Sequence, residues 1–241
     1  MREMRNAECR MQNECGRRRY FCLLPFAFCL LCILIGLLLS GCNVAGAVAY
    51  KVVGPPNVPA KYVPAKEPML VLVESYRQPG LTYDAEQLSR FVVVQIKQWD
   101  IAPTIDLMDL YKLRDGNPEK FAKMPIPEVG RTLGAKQVLY IDIVNAGVDQ
   151  STGTDVFRGN MSVRVRIVDC ERSESRWPLD AESGYPVDHE TQFGGFDSDT
   201  NPNTVRQKTY SGLAYLIVRN FRKWKPDSLH EEEMREYGMS N

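Results

Sequence analysis

Gln137–Val144 reads QVLYIDIV, a run with almost no polar interruption. Apolar residues fall at both parities, so an extended chain here would be buried on both sides, as a central strand flanked by helices is. Directly upstream, Pro127–Gly134 (PEVGRTLG) has the pattern of one helix stopped by a glycine. Downstream, Met161, Val163, Val165 and Ile167 alternate with Ser162, Arg164 and Arg166, the pattern of a strand buried on one side only. Between the two strands, residues 147–159 are rich in Gly, Ser, Thr and Asp and read as a polar turn.

Farther out, Met69–Val73 (MLVLV) reads as a second buried strand, ended by Gln78-Pro79-Gly80. Residues 82–99 follow as a helix capped by Thr82 or Asp84, with Ala85, Leu88, Val92, Ile96 and Trp99 on one face. The β-branched run Val92-Val93-Val94 works against that helix. A short strand is expected at Thr104–Leu107, and a short helix from Met108 to Leu113, closed by Asp115-Gly116-Asn117-Pro118. One or two further strands fit between Glu174 and Thr191. Residues 203–224 give the clearest helix, with Tyr210, Leu213, Ile217, Phe221 and Trp224 along one face. This order predicts a single α/β domain over 69–225. Its mixed sheet has parallel pairing in the first half and an antiparallel meander in the second, and helices flank it. Residues 226–241 form a charged tail expected to fray.

The whole chain has 241 residues, 44% of them apolar, with 30 basic and 30 acidic side chains. That composition excludes a wholly disordered chain and lacks the excess positive charge of a nucleic-acid binder. The first fifty residues are different in kind. Tyr20–Leu39 is almost purely apolar, no charge occurs from Tyr20 to Tyr50, and Arg17, Arg18 and Arg19 stand immediately before the run. A basic stretch followed by an apolar core has the order of a secretory signal, with the arginines left on the cytoplasmic side. An apolar run of about twenty residues is also long enough to span a bilayer as an uncleaved anchor. Both readings put the rest of the chain outside the cytoplasm.

The residues that follow the core, Leu39-Ser40-Gly41-Cys42, resemble the lipobox of bacterial lipoproteins. The resemblance covers the leader only. It implies that residues 1–41 are a signal peptide cleaved between Gly41 and Cys42, and that the Cys42 thiol carries a diacylglyceryl group. The new amino terminus would be acylated as well. The implied partner is the lipid bilayer, held through acylated Cys42. Asn43, rather than an aspartate, after the cysteine leans towards the outer membrane. Cysteine use agrees with export: of seven cysteines, only Cys170 lies beyond Cys42, so no internal disulfide is available. Residues 42–68, with Pro55, Pro56, Pro59, Pro64 and Pro68, read as the lipidated cysteine and a stiff proline-rich tether. Removal of the leader takes six basic and three acidic residues, leaving 24 and 27 and a net charge of −3.

A second resemblance rests on Val129–Ala135, the strand beginning at Val138, and Ile167-Val168-Asp169. They are similar to elements of periplasmic lipoproteins of the curli-secretion type and of the amino-terminal domain of the translocation protein that pairs with the Pal lipoprotein. The resemblance spans roughly 69–170. It implies a fold and an envelope setting and no activity.

Chemistry-bearing motifs are sparse. Asp188-His189-Glu190 offers one histidine and lacks the further ligands a metal needs, and His230 belongs to the charged tail. Cys170 with His189 would need an orienting third group. Asp197–Asn203 begins like a calcium loop but has Pro202 where the glycine belongs and Lys208 where a bidentate glutamate is required, so an N-cap at Asn201 or Asn203 fits better. Arg219, Arg222, Lys223 and Lys225, with Phe221 and Trp224, give the last helix a basic-aromatic end. It could meet anionic lipid or a partner, or simply suit a helix carboxyl terminus. Asn160-Met161-Ser162 fits a glycosylation sequon with no meaning in a bacterial setting.

These observations point to a non-enzymatic, membrane-anchored lipoprotein of the cell envelope, an interaction, assembly or transport-accessory module facing the periplasm. It would act on an envelope protein partner, with no cofactor, metal or nucleic acid. The alternative is a periplasmic small-ligand binder or enzyme whose site lies at the carboxyl ends of the strands, near Glu74, Asp142 and Asn145. A third class, a ring or pore subunit, would need a longer insertion than the 147–160 turn.

Overall fold

The computed structural model describes residues 56–75, 83–150, 152–153, 156–181, 183–191 and 201–226. Gly41, Cys42 and the leader lie outside the described residues, as does the tail from 227 on. Internal contacts divide the chain into Asn57–Lys225 and a second unit of Met1–Pro56 with Pro226–Asn241. The first of these is the folded domain considered below.

Strand β1 (Met69–Ser75) runs parallel to β2 (Gln137–Gln150), with Met69 opposite Gln137 and Ser75 opposite Ile143. Strand β3 (Phe157–Asp169) runs antiparallel to β2 along its whole length, with one register shift between Ile143 and Asn145. The far edge of β3 is shared by β4 (Ser175–Trp177) and β5 (Tyr185–Glu190), both antiparallel. The sheet is therefore mixed, and with its helices it forms one α/β domain. The link from β1 to β2 contains α1 (Tyr83–Gln98), α2 (Leu107–Gly116), α3 (Pro118–Ala122) and α4 (Ile126–Thr132), and α5 (Pro202–Arg219) closes the domain.

Side chains alternate across a strand, so register assigns them to faces. On one face lie Val71, Val73, Leu139, Ile141, Ile143, Met161, Val163, Val165, Ile167 and Val187, all buried. Each such side chain contributes about 1.5–3 kcal/mol by leaving water. Helix α5 lies on this face: a Cβ at Gly159 would stand 1.9 Å from Thr209 Oγ1, and one at Gly212 would stand 2.2 Å from His189 Nε2. Helix α1 packs beside α5, with Phe91 and Tyr210 ring centroids 6.4 Å apart. Val92 and Val93 turn inward and Val94 outward, so packing offsets their weak helix propensity.

The other face changes character along its length. At one end Leu70, Leu72, Val138 and Val168 are buried, and α4 sits so close that a Cβ at Gly130 would meet Val138 Cγ2 at 2.7 Å and Cys170 Sγ at 2.5 Å. Helix α4 ends as expected at Gly134, whose φ is 76°. The Gly134 amide donates to Arg131 O and the Ala135 amide to Gly130 O, the paired bonds of a Schellman cap. Beyond this end the same face carries Glu74, Tyr140, Asp142, Ser162, Arg164 and Arg166, all half-buried.

The structure departs from the expected elements in several places. The strand 137–144 is not covered on both faces throughout, because Tyr140 and Asp142 lie past the reach of α4. The polar stretch 147–159 is a turn only around 152–153: Gly147 pairs with Asn160 and Gln150 with Phe157, since a two-stranded ribbon satisfies backbone groups while leaving polar side chains in water. Thr104 makes a single bridge to Met69 in place of a strand, because Asp106 already caps α2 by accepting from the Met108 amide at 3.0 Å. Helix α3 went unread and starts at Pro118, with Asn117 Oδ1 accepting from the Lys120 amide.

The tether boundary also moves. Residues 57–68 belong to the folded unit, through a bridge between Val58 and Trp224 and through Lys61 and Tyr62 amides donating to Asn220 O. Fully buried Gln137 donates from Nε2 to Ala65 O at 2.7 Å and to Glu67 O at 3.2 Å. Arg176 then joins Gln137 Oε1, Glu67 Oε2 at 3.1 Å and Asp169 Oδ2 at 2.9 Å. Backbone amides of Arg172 and Glu171, with Arg176, hold the Asp169 carboxyl below its ordinary pKa.

Candidate functional site

Parallel pairing of β1 with β2 sets Glu74 beside Asp142 at the carboxyl ends of the strands, and sets Tyr140 one step back opposite Leu72. The Tyr140 hydroxyl donates to Glu74 Oε2 at 2.9 Å. Burial pushes the Glu74 carboxyl above its ordinary pKa, the Tyr140 hydrogen bond opposes that shift, and Asp142 adds to it. Burial and the neighbouring carboxylates push the Tyr140 phenol far above its usual value. The Arg166 guanidinium lies 4.9 Å from the centre of the Tyr140 ring, and Arg164 donates to Ser183 Oγ at 3.2 Å. Glu74 and Asp142 are thus brought together. Asn145 is not: its amide donates to Asn160 Oδ1 at 2.8 Å, and Asn160 donates to Asp149 Oδ2 at 2.7 Å, a separate ladder along the hairpin.

This cluster can hold or release a proton at Glu74, and it lies among half-buried side chains on the sheet face opposite α5. A cleft of about 50 Å³ lies elsewhere, lined by Asp84, Gly147, Asn160, Arg206, Thr209 and Tyr210 among others. That is room for a few waters, far below the several hundred Å³ of an organic-ligand pocket. There the Tyr210 hydroxyl donates to Asp84, which satisfies the one polar atom of a fully buried ring.

The remaining motifs separate in space. His189 pairs with Met161 on the helix-covered face, against Gly212, whereas Asp188 and Glu190 point to the opposite face. Glu190 is engaged there by Arg158 at 3.1 Å. Burial lowers the His189 pKa, and among the described residues its Nε2 has no hydrogen-bond partner. Cys170 is buried beneath α4 with its thiol pKa raised, on the other side of the sheet from His189, so the two make no dyad. Among the described residues no group of three or more His, Cys, Asp or Glu is placed to hold a metal ion. Asn201 caps α5 by accepting from the Asn203 amide at 2.9 Å, while residues 197–200 of the calcium-like stretch lie outside the described residues. His230 lies outside them too.

At the carboxyl end of α5 the cations and aromatics interleave. Arg222 lies 3.5 Å from the centre of the Trp99 ring and Arg219 lies 4.2 Å from that of Trp224. Trp177 anchors the adjoining cluster, stacked on Tyr62 and edge-on to Phe221 at 5.5 Å. Lys61 sits 4.0 Å over Tyr185 and donates to its hydroxyl. Lys61 and Tyr62 join the basic end only through the fold, since their one sequence signal is an aromatic and a lysine set among prolines.

No protein-family model matches the sequence, and no curated protein is recognisably similar to it. Among solved structures, the fold is loosely similar to lipoprotein GNA1162 from Neisseria meningitidis, at 13% identity over 70% of this chain and 99% of that one, with a TM-score of 0.41. The PelC dodecamer from Paraburkholderia phytofirmans gives 10% identity, 69% and 97% coverage and a TM-score of 0.39. Hypothetical protein CT253 from Chlamydia trachomatis gives 14%, 65% and 98%, and also 0.39. Likenesses this loose assign no role.

Proposed function

We propose that this chain is a lipid-anchored module of the bacterial cell envelope, non-enzymatic, that presents its α/β domain to a protein partner in the periplasm. One observation carries the reading: Leu39-Ser40-Gly41-Cys42 stands directly after an apolar core that three arginines precede. Cleavage after Gly41 and acylation of Cys42 would then hold the domain at a bilayer without a spanning helix. One acyl chain anchors only marginally, and two or more hold firmly, at about 0.8 kcal/mol per buried methylene. No helix among the described residues is long and apolar enough to cross a membrane. Asn43 favours the outer membrane as the destination.

Metabolic labelling with a palmitate analogue tests this. Wild type should carry label, and Cys42→Ala should lose it and keep the leader. Equal labelling of both would end the lipoprotein reading.

A second reading, a periplasmic ligand binder, draws on Glu74 and Asp142 meeting at the carboxyl ends of β1 and β2, where open α/β sheets place ligands. It predicts that Glu74→Gln abolishes binding of a cationic small molecule seen by calorimetry.

A further inference from the structure

We propose that the outer edge of β2, from Val144 to Val148, takes an extended segment of a partner protein as an added strand. The segment carries a neutral hydroxyl or amide side chain opposite Ala146. The inference deepens the proposed function, and rests on it, by naming the class of partner to which the domain is presented. Strand β1 covers this edge of β2 only as far as Ile143, which stands opposite Ser75. Beyond that point β2 has β3 on one side and no strand on the other among the described residues. Val144, Asn145, Ala146 and Gly147 are exposed there. The direction of the backbone groups follows from Gly159. Its amide donates to Thr191 Oγ1 at 2.8 Å and its carbonyl accepts from the Thr191 amide at 2.9 Å, so both face away from β2. Opposed residues of an antiparallel pair alternate between bonded and unbonded. Val148, opposite Gly159, and Ala146, two residues back, therefore turn N–H and C=O to the outer edge. Neither finds a hydrogen-bond partner on that side among the described residues.

The other described edges of the sheet are closed. At β1 the Met69 amide donates to Pro103 O, the Ile105 amide donates to Met69 O, and Leu70, Val71, Leu72 and Val73 are buried. On β5 the same alternation turns Pro186, Asp188 and Glu190 outward. These are a proline without an amide and two exposed acids, devices by which natural edges repel further strands. From Val144 to Val148 there is neither a proline nor a charge, and small residues, Asn145, Ala146 and Gly147, stand in their place. A peptide added to such an edge draws affinity from main-chain bonds and specificity from pockets for its alternate side chains.

A pocket of that kind adjoins the edge. Ala146 stands opposite Met161, so its side chain, and that of a residue added beside it, lie on the α5 face. There the cleft of about 50 Å³ is lined by Ala146, Asp84, Arg206, Thr209 and Tyr210. Tyr210 occupies Asp84 Oδ1, which leaves Oδ2 to accept, and Arg206 brings the opposite charge. The cleft thus matches a short neutral side chain that donates, Ser, Thr or Asn, and is too small for a long one. A second copy of this chain fits less well. Pairing Ala146 with Val148 of another copy, in both directions, sets that copy's Gln150 opposite Val144. Its turn at 152–153 then runs into β1, which ends beside Ile143.

A phage-displayed library of random peptides of about seven residues, an ordinary strand length, supplies the probe when selected on the full chain in detergent. Selected peptides should be rich in β-branched residues and share one Ser, Thr or Asn. At about tenfold above its Kd, such a peptide should slow hydrogen exchange at the Ala146 and Val148 amides about tenfold. The Gly147 amide, already turned to β3, should change less. N-methylation of alternate peptide amides should abolish the effect. Val148→Pro removes only an outward amide, a change that edge strands tolerate, and should abolish binding with the circular dichroism spectrum kept. Ala146→Arg, at an exposed position, makes the same test without touching the backbone. Peptides that bind either variant as well as wild type would overturn the inference, as would a selection that enriches none. Protection of both amides on concentrating the purified chain alone would assign the edge to a second copy and equally overturn it. Cys42→Ala should bind the same peptides, so loss of the lipid anchor and loss of the strand site are read separately.

Discussion

On the side of the sheet that carries α1 and α5, the registered side chains from Val71 across to Val187 are apolar and buried. On the other side burial stops at Tyr140, and the strands continue in charge. The first side is specified by alternation plus close approach, with Gly159 and Gly212 letting α5 touch the strands. The second is specified by one helix, α4, whose length sets where the core ends. The first is apolar along its length, and the second passes into a stretch of half-buried polar side chains.

The largest expected difference is between two glycines in facing strands. Gly159→Val places new atoms where Thr209 Oγ1 and Val205 Cγ1 already are and should cost about 3 kcal/mol in denaturant unfolding. Gly147→Val, on the opposite face, meets Asn160 only at ordinary contact distance, 3.5 Å, and should stay within about 1 kcal/mol. Equal effects would break the distinction between the faces.

Next comes Gln137→Met, which leaves Ala65 O and Glu67 O without their donor at a cost of about 1–3 kcal/mol. Hydrogen exchange should quicken first at the Lys136 and Gln137 amides, whose acceptor is Pro68 O.

The two faces should also titrate in opposite directions. His189 is held neutral by burial, so its folded pKa lies below the ordinary 6.5. The unfolded chain then binds a proton that the folded chain refuses, and stability falls as pH drops below about 6.5. His189→Leu should flatten the denaturation midpoint between pH 7 and pH 5.5. Glu74 has a folded pKa above the ordinary 4.5, so its burial costs stability at neutral pH, and that cost disappears as pH falls towards about 4.5. Glu74→Gln should leave stability at pH 7 unchanged or raised.

The smallest effect belongs to Tyr140→Phe. Loss of its hydroxyl should raise the Glu74 pKa further, visible by carboxyl NMR titration, with under about 1 kcal/mol of stability change.

Much of this was legible in the sequence. MLVLV and QVLYIDIV mark buried strands because an apolar run has few other places to go, and Gly134 marks a helix end because a left-handed residue favours glycine. The hairpin beyond Asn145 was not legible, since polar side chains in a two-sided ribbon look like a turn until the partner strand is known. Residues 57–68 read as a tether because the groups that fix them, Asn220, Gln137 and Arg176, lie far along the chain. The Glu74–Tyr140 bond depends on a register that pattern alone does not set. Leu39-Ser40-Gly41-Cys42 differs from all of these, because a motif of consecutive residues needs no fold to be seen.

Mass spectrometry of the amino-terminal peptide from protein purified out of its native membrane tests the anchoring most directly. The account predicts a peptide that begins at Cys42 and carries a diacylglyceryl thioether and an amide-linked acyl chain. An intact leader through Gly41, or an unmodified thiol at Cys42, would contradict it.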